Sequence, residues 1–292
     1  MSLIELQNVS KLYGFGNATT VALDEINLKV DKGEFVAVMG PSGSGKSTLM
    51  NIIGLLDRPT HGTYQLSGRS TARLRANRQA KLRRDNIGFV FQQFSLLPSL
   101  TVLENVALPL VYKGIRPIKR LKQASALLEQ VGLKDREYFV PRQLSGGQIQ
   151  RVAIARALIN NPGIIIADEP TGNLDSGASR LVMELFNELH QSGNTILMVT
   201  HNPELTRYAS RVVYMHDGAI VYDQETPIGQ VPRIARRIIT MFPRKTEDDD
   251  LAGVSALMKA VPGKALTKKR AKSHKPRTKK ALPSKRTKNV RR

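Results

Sequence analysis

At 292 residues the chain is long enough to bury a full α/β core with room for a small second subdomain. The absence of cysteine excludes disulfides and thiolate metal sites and fits a reducing compartment. The formal charge of +21 is concentrated at one end: residues 264–292 hold 14 of the 45 Lys and Arg and none of the 24 Asp and Glu, which leaves +7 on residues 1–263.

The start, Met1-Ser2-Leu3-Ile4-Glu5, lacks the basic-then-apolar order of a signal peptide, and no apolar run approaches the ~20 residues of a membrane span. A soluble or peripheral protein is expected. Leu3–Val9 and Val21–Val30 alternate apolar residues and read as strands, with Lys11–Gly16 between them as an exposed loop carrying two aromatics. Asp31-Lys32-Gly33 is a turn into the apolar strand Phe35–Met39. Gly40-Pro41-Ser42-Gly43-Ser44-Gly45-Lys46-Ser47-Thr48 follows, then a helix to Leu56 that Arg58–Gly62 ends. Thr63–Leu66 is a short strand, and the basic stretch Arg69–Arg84 is helical in its second half. Ile87–Phe91 returns as a strand into Gln92-Gln93-Phe94.

Leu100–Tyr112 and Pro117–Val131 read as helices, the second with Leu121, Ala124, Leu128 and Val131 on one face. Pro141 breaks the pattern before Leu144-Ser145-Gly146-Gly147-Gln148, and Gly147–Asn160 is helical again. Ile164–Ala167 is a buried, parallel-type strand ending at Asp168-Glu169. Ser176–Gln191 is an amphipathic helix with Leu181, Leu185 and Leu189 in line, and Thr195–Val199 is a strand ending at Thr200-His201. Arg211–Met215 and Ala219–Tyr222 form a closing hairpin through Asp217-Gly218. Strands alternating with helices imply an α/β fold with a mainly parallel, helix-covered sheet.

Three stretches carry chemistry. Gly40–Thr48 fits G-x-x-x-x-G-K-[ST] and has the required strand before it and helix after it, so a chance glycine turn is a poor reading. Glycines let successive N–H groups point inward at phosphates, Lys46 reaches the β- and γ-phosphates, and the Ser47 hydroxyl ligates Mg²⁺. Asp168, at the C-terminal edge of a buried strand, is placed to hold Mg²⁺ through a water, and Glu169 to accept a proton from an attacking water. Ser145–Gln148 opens a helix with small residues, a second anion site without a lysine, which points to the nucleotide of another molecule.

With these motifs in this order, residues 3–222 resemble the ATP-binding cassette (ABC) ATPases, whose signature is LSGGQ. The resemblance implies a P-loop fold with a mixed, mainly parallel core sheet, an N-terminal antiparallel β subdomain and a helical subdomain at about 93–160, all within residues 1–225. It implies ATP and Mg²⁺ as cofactors, with Gly40, Pro41, Ser42, Gly43, Ser44, Gly45, Lys46, Ser47 and Thr48 around the phosphates. Tyr13 matches the adenine-stacking aromatic, although a plain surface aromatic is its other reading. Gln92 matches the glutamine that touches Mg²⁺ and senses a membrane partner; Gln93 follows the same strand, and the family's Phe-Gln-x-Phe pattern selects Gln92. Ser145, Gly147 and Gln148 match the signature that closes on ATP held by the opposite subunit. Asp168 and Glu169 match the Mg²⁺-associated acid and the catalytic base. Asp175, with Asn173 and Leu174, matches the loop linking two active sites, and His201, 32 residues past Glu169, the histidine that contacts the γ-phosphate.

Gly54–Thr60, Gly88–Gln92, Asn105–Leu110 and Asp168–Asp175 resemble the macrolide-exporter and lipoprotein-release branch (MacB/LolD type), with the FtsE-type cell-division cassettes close by. The implied function is an ATP-hydrolysing subunit that dimerises through an ATP sandwich and powers a separate transmembrane permease from the cytoplasmic face of the membrane. A regulatory cassette controlling cell-wall enzymes is the first alternative, and a soluble cassette acting on nucleic acid the second. Ile149 replaces the usual polar residue after LSGGQ. Arg69–Arg84 is more basic than expected for the branch, which fits contact with lipid phosphates or a solvated helix face.

Residues 226–292 lie outside the resemblance. Ile228–Phe242 mixes isoleucines with arginines and reads equally as a helix on a membrane or partner and as an ordinary packed helix. Glu247–Asp250 is a solvated acidic linker. Residues 264–292 cannot bury a core, so disorder is expected. Such a tail attracts anionic lipid head groups. It lacks the aromatics that base stacking uses, so no specific nucleic-acid partner is expected.

Overall fold

The computed structural model describes residues 2–15, 18–72 and 74–225; the expectations for residues 228–292 fall outside them. Two sheets organise the described residues. In the first, β1 (Ser2–Phe15) pairs antiparallel with β2 (Ala18–Asp31) on one side and β4 (His61–Leu66) on the other, and β5 (Arg69–Ser70) closes the edge. The second contains β3 (Phe35–Met39), β6 (Ile87–Val90), β7 (Ile164–Asp168), β8 (Thr195–Val199), β9 (Arg211–His216) and β10 (Ala219–Glu225), in the order β10-β9-β3-β8-β7-β6. All its pairings are parallel except β10 with β9, where Asp217 and Gly218 take the positive φ of a tight hairpin turn.

The unbroken apolar runs of β3, β7 and β8 follow from burial on both faces. Val36, Val38, Ile164, Ile166, Leu197 and Val199 face the first sheet and α1 (Lys46–Ile53). Phe35, Ala37, Met39, Ile165 and Ile196 face α6 (Ser176–Gln191). Burying Leu49, Ile52 and Ile53 of α1 contributes about 1.5–3 kcal/mol each. That packing holds the helix that starts at the phosphate loop. A third core gathers α3 (Val102–Tyr112), α4 (Pro117–Gln130) and α5 (Gly146–Leu158), with Val106, Ala124, Leu128 and Val152 fully buried. Between β5 and β6 lies the basic helix α2 (Ala76–Asn86).

Three expectations need correction. Lys11–Phe15 is not loop but the end of β1, paired as far as Phe15 with Ala18. Register shifts at Leu6/Val9, Val9/Lys11 and Lys11/Leu12 break the alternation while the ladder continues, so the two-residue period fades from the sequence. The helix α1 stops at Ile53 rather than Leu56, because Leu55 takes φ 55° and is buried. At Gly54 a Cβ would lie 2.4 Å from the Phe89 ring, so only glycine permits that close approach. On α6 the row Leu181, Leu185, Leu189 is covered only in part: Leu185 and Leu189 pack against the core beside Val182, Met183 and Phe186, while Leu181 is 56% exposed.

Candidate active site

Gly40 and Gly45 let the phosphate loop press against neighbouring backbone: a Cβ at Gly40 would lie 2.2 Å from Met215 O, and one at Gly45 2.5 Å from Ala22 O. Both take the positive φ that glycine tolerates. The Lys46 ammonium folds back over the loop, donating to Gly40 O at 2.9 Å and Pro41 O at 2.6 Å. No side chain caps the N-terminus of α1, so its first-turn N–H groups suit an anion.

The loop opens into a cleft of about 580 Å³ to which Ser42, Gly43, Gly45, Lys46, Ser47, Thr48, Asp168, Glu169 and His201 all contribute. The structure thus brings these sequence-predicted residues together; the opposite wall is Thr20, Val21 and Ala22 of β2, for which a half-exposed strand gives no signal. Asp168 ends β7, and its carboxyl is pushed above the usual range by burial first and by Glu169 second, with Lys46 pulling the other way. Glu169 sits in a left-handed turn (φ 42°), with its N–H donating to Val199 O at 2.9 Å and its carbonyl accepting from Gly172 N at 3.0 Å. Its Oε1 lies 2.7 Å from His201 Nδ1.

Gln92 does not line this cleft. Its carbonyl accepts from Asn173 Nδ2 at 3.0 Å, and its amide packs against Gly172, where a Cβ would approach Nε2 to 2.7 Å. Gln92 is thereby tied to the turn just after Glu169. Tyr13, on β1, lies outside the cleft lining too; its phenol donates to Asp57 Oδ2 at 2.9 Å.

Ser145, Gly147 and Gln148 gather elsewhere. Ser145 caps α5 in a reciprocal pair: its Oγ accepts from Gln148 N, and Gln148 Oε1 accepts from Ser145 N at 2.9 Å. Gly146 and Gly147 abut Leu174 and Ala178; a Cβ at Gly147 would lie 2.8 Å from Ala178 Cβ. Asp175 caps α6, accepting from Ala178 N at 2.8 Å. Within one chain the LSGGQ residues therefore meet Asn173–Ala178 and not the phosphate cleft.

A second cleft, of about 780 Å³, lies between α2, β6, α3 and α5. Its floor is apolar, with Phe89 and Phe91 stacked at 5.3 Å beside Leu56, Leu108 and Pro109. Lys81 and Arg84 stand on its rim.

A phosphate loop at the C-terminal end of β3, with an acidic pair at the same end of β7 one strand removed across β8, defines a P-loop nucleoside-triphosphatase. The chain belongs to the ABC transporter family, whose family model matches residues 23–172. It is an ATP-hydrolysing ABC transporter ATP-binding subunit. The uncharacterized ABC transporter ATP-binding protein YvrO of Bacillus subtilis is 52% identical over 226 residues, covering 77% of this chain and 99% of the relative. The macrolide export ATP-binding/permease protein MacB of Neisseria meningitidis serogroup B is 47% identical over 83% of this chain, which spans 38% of that relative. The dimeric post-hydrolysis structure of the ATP-binding cassette MJ0796 bound to ADP and Pi matches at 46% identity with TM-score 0.70, over 76% of this chain and 98% of its own. The mixed α/β fold expected from the sequence is the one observed. Among the described residues, no helix is long and apolar enough to cross a membrane.

Proposed function

We propose that two copies of this chain close head to tail over two ATP molecules and drive a separate membrane permease of the macrolide/peptide-export or lipoprotein-release type. The observation that carries this reading is the placement of Ser145–Gln148. This helix start, read from the sequence as a second anion site, lies off the chain's own phosphate cleft and beside Asn173–Leu174 and Ala178. The dimer recorded for MJ0796 with ADP and Pi supports it, as does the joining of ATP-binding and permease parts in the MacB relatives.

In this reading Gly40–Thr48 hold the phosphates and Tyr13 stacks on the base. Ser47 and Asp168 would hold Mg²⁺, and Gln92, which lies off the cleft lining against Gly172, would have to swing its side chain in to join them. The donor set fits: Ser47 and Asp168 supply hard oxygens to one cleft, as Mg²⁺ requires alongside phosphate and water. When bound, the ion draws charge from the phosphate oxygens. Glu169 takes a proton from the attacking water, His201 and Lys46 hold charge at the γ-phosphate, and the opposite subunit's signature closes the site. The apolar cleft with Lys81 and Arg84 on its rim receives an amphipathic permease segment with acidic flanks, near Gln92 and the stretch 94–112. This places the chain at the cytoplasmic face of the membrane, where residues 264–292 add attraction to anionic lipids.

A pull-down from detergent-solubilised membranes, beside one from ribosomes and DNA, tests the reading. A permease is expected in the first, and its loss on Lys81→Glu with Arg84→Glu. Capture of ribosomes or DNA alone would overturn it.

A further inference from the structure

Tyr13 stands on β1, about one-third exposed, and two neighbours hold it. Its hydroxyl donates to Asp57 Oδ2 at 2.9 Å. The other carboxylate oxygen, Asp57 Oδ1, accepts from Lys11 Nζ at 2.8 Å and from Arg58 N at 2.7 Å. Lys11 also donates to Arg58 O at 2.9 Å, and its ammonium lies over the Tyr13 ring, 4.9 Å from the centroid. Asp57 sits just beyond the end of α1, the helix whose first turn carries Lys46 and Thr48.

The geometry points to a positioning role for Asp57 and Lys11: together they fix the Tyr13 ring so that one defined face meets the base of the nucleotide. The proposal rests on the assignment of Tyr13 to the base and goes beyond it by naming what orients the ring.

The mechanics follow from the torsions of a tyrosine. A hydrogen bond at the phenol oxygen fixes where the ring's long axis points but leaves rotation about that axis. Lys11 limits this rotation, because an ammonium over a ring face is attracted to it and blocks it. With one face covered, the base takes the other. A ring ordered before the ligand arrives loses less rotamer entropy on binding. Burial alone would raise the Asp57 carboxyl, but the hydrogen bonds from Lys11, the Arg58 N–H and Tyr13 outweigh it and hold it below the usual range. Asp57 is therefore ionised at neutral pH. The clamp also ties the base-facing ring, through Asp57, to the turn just past the end of α1.

The test measures binding of ATP and of inorganic tripolyphosphate, each with Mg²⁺, to the full chain carrying Glu169→Gln so that nothing turns over. Tripolyphosphate has no base, so it reports on the phosphate loop alone. Asp57→Ala and Lys11→Met are each expected to weaken ATP binding about threefold to tenfold. Tripolyphosphate binding should stay within about twofold, since the phosphate contacts are untouched. In a Tyr13→Ala background, Asp57→Ala should add nothing. In the hydrolysing chain KM should rise while kcat holds. Equal weakening of both ligands, a cost that persists without Tyr13, or unchanged ATP binding would each overturn the clamp. If Tyr13→Ala itself leaves ATP binding intact, the base assignment fails, and the clamp fails with it.

Discussion

His201 Nδ1 lies 2.7 Å from Glu169 Oε1, across the mouth of the phosphate cleft. The two residues come from adjacent parallel strands, β7 and β8, whose register places Asp168 opposite Val199. The left-handed turn at Glu169 lifts its carboxylate toward His201. If Glu169 is the base, Glu169→Gln keeps shape and volume but cannot take a proton. Turnover should fall at least ~100-fold while ATP stays bound and the dimer stays closed. Phosphate release and gel filtration with ATP check both halves, and normal hydrolysis by this variant would contradict the assignment.

Ser145 allows a sharper separation of binding from turnover. Because it caps α5 away from the phosphate cleft, Ser145→Arg should leave ATP affinity of the isolated chain unchanged. Hydrolysis should fall about 100-fold or more, as expected when charge stabilisation of the transition state is lost. Specific activity of the wild-type chain should also rise with protein concentration, since each complete site needs two chains. Full activity in Ser145→Arg, or in an enforced monomer, would remove the basis for the composite site.

How much of this was legible in the sequence depends on whether the signal was local. The phosphate loop, Asp168-Glu169 and His201 all sit at the ends of strands that are apolar throughout, and such runs can be read directly. Tyr13 was assigned to a loop because the bulged register of β1 hides its alternation. The row Leu181, Leu185, Leu189 marks an amphipathic helix but not which of its members are covered: Leu185 and Leu189 pack beside Val182 and Phe186, and Leu181 is exposed. Asp57 and Lys11, 46 residues apart, had no pattern to betray them, and neither had the wall at Thr20–Ala22. Contacts made by pairing across the sheet or across the end of a helix leave no period in either partner.

The elevated Asp168 carboxyl has a consequence for stability. Burial, then Glu169, raise its pKa in the folded chain, so between the ordinary carboxylate range and that raised value the folded state binds more protons than the unfolded one. Stability attributable to this group therefore falls as pH rises through the folded pKa, and the penalty is complete only above it. Asp168→Asn should raise the Tm of the nucleotide-free chain at pH 7, and the gain should vanish below about pH 4. The same change should cut turnover about 100-fold or more. Thermal unfolding at several pH values checks the sign; a gain that persists at acid pH would trace it to something other than this carboxyl.

Arg156 of α5 ties the helix that Ser145 opens to the segment just after Gln92. Its guanidinium donates to Ser95 O at 2.5 Å and to Phe94 O at 2.9 Å. Phe94 and Ser95 both take left-handed backbone, φ 55° and 49°, which costs side-chain-bearing residues about 1–3 kcal/mol each. Two charge-assisted bonds from a half-buried arginine offset that cost. Arg156→Leu should therefore destabilise the chain by about 2 kcal/mol, read as a lower urea midpoint at unchanged slope. Ser95→Gly, which relieves one of the strained positions, should recover roughly 0.5–1 kcal/mol in that background. Both carbonyls belong to the stretch that leads from Gln92 toward α3 and the apolar cleft. Stimulation of hydrolysis by the permease should thus fall more steeply in Arg156→Leu than the basal rate does. If the midpoint does not move, the strained turn is held by its own sequence and Arg156 is a bystander.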